Sequence, residues 1–369
     1  MLGEPASAIA SDSANSICAT SCDNTEAAIE CLKEMFVDKV QMGRIEDGQD
    51  PARRPVFLRL HGVAHGRLEI VPDLPKNLMV GLFSKPGKSY PVWVRYSSDI
   101  RDGYLDHKTT VGIGIKVFDV PGKKILSPDE DAPTMDLLLQ NIDIFFVDNA
   151  QKMCEFTKAG FTGDRDKWLA DHPTTAAILA EMAKEVPSVL DTDLWSAIPF
   201  HFGKEDSPNH TYSKYKLEPE EVPEAESEPD YNYISYLHTD LVQRLKKGEA
   251  RLKLFVQLQT NEQEMPTDQA TVRWDEEESE PIHVATLILP QQDITARGQA
   301  EYGETLSFHP WRTLEEHKPV GSIAEARKVV YQASAELRRN VNGEPIGEPQ
   351  VPRPNAVWPA APQGCQDNQ

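Results

Sequence analysis

The sequence predicts an α+β protein: a strand-rich body, a helical insertion in its middle and one helix near its C-terminus. Three observations carry this. Arg251-Leu-Lys-Leu-Phe-Val-Gln-Leu-Gln259 alternates apolar and polar residues, the period of a half-buried strand, and several shorter runs do the same. Between about residues 150 and 190 the alternation gives way to helical spacing. A last helix then runs from Ser322 to Asn340.

Taken in order, residues 1–50 form a polar extension with one amphipathic helix, Glu26 to Lys39. Residues 51–345 form the body and 346–369 a proline-rich tail. Val56-Phe-Leu-Arg-Leu-His61 and Arg67-Leu-Glu-Ile-Val71 read as strands separated by glycine. In Tyr90-Pro-Val-Trp-Val-Arg-Tyr96, alternation puts Val92, Val94 and Tyr96 on one face and Trp93 and Arg95 on the other. Val111-Gly-Ile-Gly-Ile-Lys-Val-Phe118 carries two glycines, a sign that something flat or bulky approaches closely. Asp143 to Val147 reads as a strand, Ala150 to Lys158 and Asp164 to Leu190 as helical. Residues 218–230 form an acidic, proline-bearing loop. Ala270 to Trp274 and His283 to Leu289 complete the strands. There is no internal repeat.

Composition narrows the function classes. The formal net charge is −21, so the field of the chain repels nucleic acid and anionic membranes. No run of eighteen apolar residues predicts a membrane span. The N-terminus lacks a basic segment followed by an apolar one, so a cytoplasmic location is expected. The five cysteines are odd in number and scattered, a poor disulfide framework. Cys18, Cys22 and Cys31 could bind a metal or sense oxidants, but without a nearby fourth ligand they read as free thiols in a reducing compartment.

The C-terminal helix carries the most specific chemistry. Arg327, Tyr331, Ser334 and Arg338 lie at i, i+4, i+7 and i+11, within roughly 60° of one another on a helix. A phenol flanked by guanidiniums is favoured as phenolate. Phenolate is a hard ligand that suits ferric iron.

In their order along residues 55–342, several segments resemble the haem-dependent catalase family. They include His61-Gly-Val-Ala-His-Gly-Arg-Leu-Glu-Ile, Val94-Arg-Tyr-Ser97, Gly112-Ile-Gly-Ile-Lys116 and Gln140-Asn-Ile-Asp-Ile-Phe-Phe146. Phe308-His-Pro-Trp311 and Arg327…Tyr331…Arg338 follow. The resemblance implies a closed antiparallel β-barrel of the catalase type with a C-terminal haem-ligand helix, in a short member of the family. It implies haem b as cofactor, with Tyr331 as axial ligand to iron and Arg327 beside its phenolate. Arg338 and Arg95 would meet the haem propionates, with Phe146 and His65 also at the cofactor. His61 would be the distal acid–base, supported by Ser97, with Gln140 or Asn141 as the distal amide.

The chain departs from the family pattern at three places. An ungapped match puts the distal histidine at Leu58, which leaves His61 and His65 as competitors. Gln140 stands at the distal asparagine position with Asn141 beside it, and Met153 replaces a phenylalanine. A zinc site built from His61 and His65 requires a helix, whereas on a strand residues four apart are about 13 Å apart. The expected function is turnover of a small-molecule peroxide or lipid hydroperoxide, by peroxidation or rearrangement. The alternatives are true catalase activity on hydrogen peroxide and a haem-binding sensor without catalysis. Whether the chain forms a homo-oligomer stays open.

Overall fold

The computed structural model describes residues 17–100, 103–106 and 108–354. Strand β1 (Arg59–Ile70) pairs antiparallel with β2 (Ser89–Ser98) on one side and β9 (Ile282–Leu289) on the other. From β2 the sheet continues through β3 (Val111–Val117) and β4 (Met135–Gln140) to the short β5 (Leu194–Trp195). From β9 it continues through β8 (Ala250–Leu258) to β7 (Thr211–Glu221). Leu194 of β5 pairs with Leu217 of β7, which closes eight strands into a barrel; β6 (Phe200–Phe202) adds to β7 outside the ring.

Alternation fills the barrel. Val92, Val94 and Tyr96 point inward from β2 and meet Leu252, Leu254 and Val256 of β8 in one apolar core, all nearly inaccessible to water. Each fully buried aliphatic side chain contributes about 1.5–3 kcal/mol. The opposite face of β2 carries Trp93, Arg95 and Ser97, and helices cover it. The flat groups that approach Gly112 and Gly114 are the chain's own rings. A Cβ on Gly112 would lie 3.0 Å from the Phe57 ring, and one on Gly114 2.8 Å from the Phe308 ring.

Several expected elements change. The two strands expected at Val56–His61 and Arg67–Val71 are one strand, β1, because Gly62 and Gly66 sit where neighbours leave no room for a side chain. Register slips between Leu60 and Gly62, so His61 occupies a bulge. Residues 143–147 and 270–274 are irregular, while β4 through β7 include strands that their composition does not announce. The acidic loop begins only after β7, which runs to Glu221.

The helices frame the barrel's outer face. The insertion is α3 (Ala150–Thr162), α4 (Arg165–Asp171) and α5 (Pro173–Met182). Asn149 caps α3, accepting from Lys152 N at 3.0 Å, and Gly163 ends it in the left-handed conformation. Helices α6 (Tyr236–Lys247) and α7 (Gln299–Thr305) were not anticipated. The last helix, α8 (Ser322–Asn342), stops at left-handed Gly343. The N-terminal helix α1 (Thr25–Lys33) continues as a π-helix (Glu34–Gln41) into α2 (Met42–Glu46). Buried Gln41 donates to Ser334 O at 3.1 Å, which fastens this segment to α8.

Two disulfides, Cys18–Cys31 and Cys22–Cys154, correct the expectation of free thiols. Sequence spacing hid them because Cys154 is brought in by α3, 132 residues from Cys22. They also remove the support that free thiols lent to a cytoplasmic location. Among the described residues no helix is long and apolar enough to cross a membrane.

Candidate functional site

A cavity of about 400 Å³ lies between the outer face of the barrel and α8, α3 and α1. Its barrel side is built from two ladder rows. Ser97, Gly112 and Gln140 form one; Arg95, Gly114 and Leu138 form the other. Opposite stands α8, presenting Arg327, Tyr331, Ser334 and Arg338 to the same space. The helical spacing read from the sequence therefore becomes one wall. The Arg327 guanidinium donates to the Tyr331 hydroxyl at 3.4 Å and its carbon stands 5.3 Å from the phenol ring centre. Phe146 joins the apolar side, stacked on Phe145 at 4.9 Å and edge-on to Phe156 at 5.1 Å. Met153 also lines the cavity.

Three guanidiniums gather at the cavity with two carboxylates, Glu304 beside Arg54 and Arg95 and Glu344 3.5 Å from Arg338. Arg54 and Arg95 reach the two oxygens of Glu304 at 2.8 and 2.9 Å. Arg338 donates to the backbone oxygens of Glu304 and Leu306. Burial, then the charge of Arg54, pushes Arg95 down to about 10 and Arg338 down to about 9. Burial raises the Glu304 carboxyl, but Arg54 and Arg95 more than offset it and hold it at about 2. Three guanidiniums facing Glu304 and Glu344 leave one positive charge in excess, an arrangement that suits an anionic ligand.

The barrel side is held by Phe57, whose φ of 52° is rare for an aromatic residue. Its N–H donates to Asp99 Oδ1 at 3.3 Å and its carbonyl accepts from Arg95 at 3.1 Å. These two bonds fix the ring over Gly112. Burial raises the pKa of Asp99, the one carboxylate among the described lining residues. Gln140 Nε2 is buried without a partner in the protein.

Three expected site residues lie elsewhere. His61 does not line the cavity. The bulge turns it to Ser98, which leaves β2 on the face opposite to Ser97; Nε2 lies 3.0 Å from Ser98 Oγ, and Nδ1 3.6 Å from Asp106. Burial, then Arg59 and Arg95, pushes His61 down to about 3, so it is neutral. His65 packs edge-on against Trp93 at 5.6 Å, and its backbone bonds Gln292. Asn141 spends its side-chain oxygen on Val111 N at 3.0 Å, capping β3. No histidine lines the cavity among the described residues. The nearest to α8 is His309, 6.0 Å from the Tyr331 ring but bonded to Lys328 O and Trp311 N.

Sequence reasoning missed Arg54, Phe57, Asp99 and Glu304. Arg53-Arg54, a basic pair in a strongly acidic chain, was a signal for the first. Nothing local announces the others, because only the tertiary fold brings residues 57, 99 and 304 together.

No protein-family model matches this chain, and no curated protein does. Solved structures do. A fungal catalase is similar with a TM-score of 0.60 and 17% identity, over 82% of this chain and 63% of that one. A bacterial catalase gives 0.61 and 18%, over 86% and 64%. Catalase A from Saccharomyces cerevisiae gives 0.57 and 15%, over 83% and 63%. The chain has the catalase fold, and it spans less than two thirds of the length of each of these proteins.

Proposed function

We propose that the cavity holds haem b and that the chain turns over an organic hydroperoxide, such as that of a fatty acid. The observation that carries this is the presence of the Tyr331–Arg327 pair and the arginine cluster in one cavity. The residues fit the group. Tyr331 would be the oxygen ligand to ferric iron, with the Arg327 guanidinium 3.4 Å from its hydroxyl. Arg54, Arg95 and Arg338 supply the positive charge that two propionates require in a buried site. Apolar side chains such as Phe146 and Met153 suit a flat aromatic macrocycle.

Bound haem supplies the iron at which the O–O bond of a peroxide is cleaved. The chain's own residues would position the peroxide and handle its proton. Gln140 lines the cavity and its Nε2 has no partner in the protein, so it is the amide available to donate to a substrate oxygen. Ser97, two strands away across Gly112, offers a hydroxyl on the same row. With no histidine among the described lining residues, Asp99 is the carboxylate there that can accept and return a proton. Phe161, exposed on α3, also lines the cavity, so its apolar side reaches the surface and admits a hydrocarbon chain.

Haem-loaded protein should consume cumene or linoleate hydroperoxide faster than it evolves oxygen from hydrogen peroxide. Faster oxygen evolution would point to catalase activity instead. The placement of His61 and His65 away from the cavity also favours a second reading, a haem-binding protein without turnover. Haem retention with neither peroxide consumed would select it.

A further inference from the structure

The four bonded cysteines form one cluster. Cys22, Cys31 and Cys154 have their sulfurs within 4.8 Å of one another, and Cys18 is bonded to Cys31. The two disulfides are therefore neighbours in space. Their exposure is unequal: Cys31 and Cys154 are fully buried and Cys18 nearly so, whereas Cys22 is partly exposed. A reductant in solution meets one sulfur of the four. The sequence neighbours of the two deepest cysteines, Leu32 and Met153, line the cavity. The cluster packs with Met35, Ala150 and Ala326, between α1, α3 and α8.

We propose that this cluster is a thiol–disulfide exchange site for a dithiol reductant. The dithiol enters at Cys22 and passes the reduction inward to Cys18. Its thiolate attacks Cys22 Sγ, breaks the Cys22–Cys154 bond and leaves the electron pair on Cys154 Sγ. Cys154 thiolate then attacks Cys31 Sγ, within 4.8 Å, and breaks the Cys18–Cys31 bond. Cys18 leaves as thiolate and takes a proton. The second thiol of the reductant displaces Cys22, which leaves protonated. The dithiol loses two electrons and becomes a cyclic disulfide; the protein goes from two disulfides to one, Cys31–Cys154, and gains two thiols. The surviving cross-link joins α1 directly to α3, behind Leu32 and Met153. The segment before α1 loses both of its covalent ties. The redox state of the surroundings thus sets how the N-terminal segment is fastened to the cavity wall.

The test treats the full-length, oxidised protein with one equivalent of dithiothreitol under native conditions, then alkylates it and maps the sites by mass spectrometry. The expected product carries label on Cys18 and Cys22, with Cys31 and Cys154 recovered as a cross-linked peptide pair. Label on Cys22 and Cys154 with Cys18–Cys31 intact would overturn the relay, and so would no label on any of the four. A Cys22→Ser/Cys154→Ala variant checks the route. Its Cys18–Cys31 bond should be reduced roughly tenfold or more slowly than in the parent, because the Cys154 thiolate that would attack it is gone. Equal rates would mean that the reductant attacks the buried disulfide directly, which contradicts the proposal.

Discussion

Arg327 donates to the Tyr331 hydroxyl at 3.4 Å from one turn earlier on the same helix, so the helix itself fixes the pair. Its strength does not depend on a distant loop. Replacing Arg327 by Leu should leave the fold intact and weaken haem retention roughly ten- to hundredfold, the loss of about 1.5–3 kcal/mol from one charge-assisted bond. Haem transfer to apomyoglobin measures this. An unchanged transfer rate would show that the guanidinium does not act on the ligand.

Glu304 separates two roles of the arginine cluster. Its carboxylate compensates Arg54 and Arg95. Changing Glu304 to Gln should lower the stability of haem-free protein by about 2 kcal/mol. It should also tighten binding of a ligand with two carboxylates, since a competing anion is gone. Urea unfolding and haem titration of the same variant read the two effects. If both move in the same direction, the excess-charge argument fails.

Gly112 is fixed by its neighbours. A Cβ there would stand 2.9 Å from Leu139 O as well as 3.0 Å from Phe57. Gly112→Ala should cost about 1–3 kcal/mol and push the Phe57 ring into the cavity. Thermal unfolding within a degree of the parent would show that the strands can part at no cost.

Acid should destabilise the protein through its buried histidines, above the pH at which ordinary carboxylates are protonated. Burial holds His61 at about 3 and His317 at about 4, below the ordinary 6.5. The unfolded chain binds these protons as pH falls through 6.5, while the folded chain does not until about pH 4 and 3. Their stabilisation is therefore complete above 6.5 and is lost as pH drops through that window. Asp106, raised to about 6 by burial, works in the opposite sense over part of the range. Burial lowers His65, His201, His283 and His309 in the same sense and raises Asp99, Asp136, Asp193 and Asp240 in the sense of Asp106. The histidines titrate from pH 6.5, above the carboxyls, so the melting temperature should fall first over the upper part of the range from pH 6.5 to 4. A flat profile there would contradict the burial of both rings.

If Asp99 handles the peroxide proton, Asp99→Asn should remove the acidic limb of the pH–rate profile and slow turnover at least tenfold. Gln140→Leu should weaken hydroperoxide binding without moving that limb. A profile unchanged in Asp99→Asn would assign proton handling to solvent.

Much of this was legible in the residues. Alternation in Tyr90–Tyr96 separated the barrel interior from the cavity face, and helical spacing placed Arg327, Tyr331 and Arg338 together. The order of short segments along residues 55–342 pointed to the barrel. The rest required tertiary contacts. His61 looked like a site residue because the sequence cannot show that Leu60 and Gly62 flank a bulge. Gly112 and Gly114 announced a flat neighbour but not that it would be Phe57 and Phe308. The disulfides joined cysteines 13 and 132 residues apart, with no local pattern to mark them.

The central claim is a bond from the Tyr331 phenolate to ferric iron. Its most direct measurement is haem titration of the purified protein and of Tyr331→Phe, followed by absorption spectroscopy. The account predicts stoichiometric uptake with a phenolate-ligated ferric spectrum in the parent, and loss of that spectrum with weak or absent uptake in the variant. Equal uptake with identical spectra would contradict it.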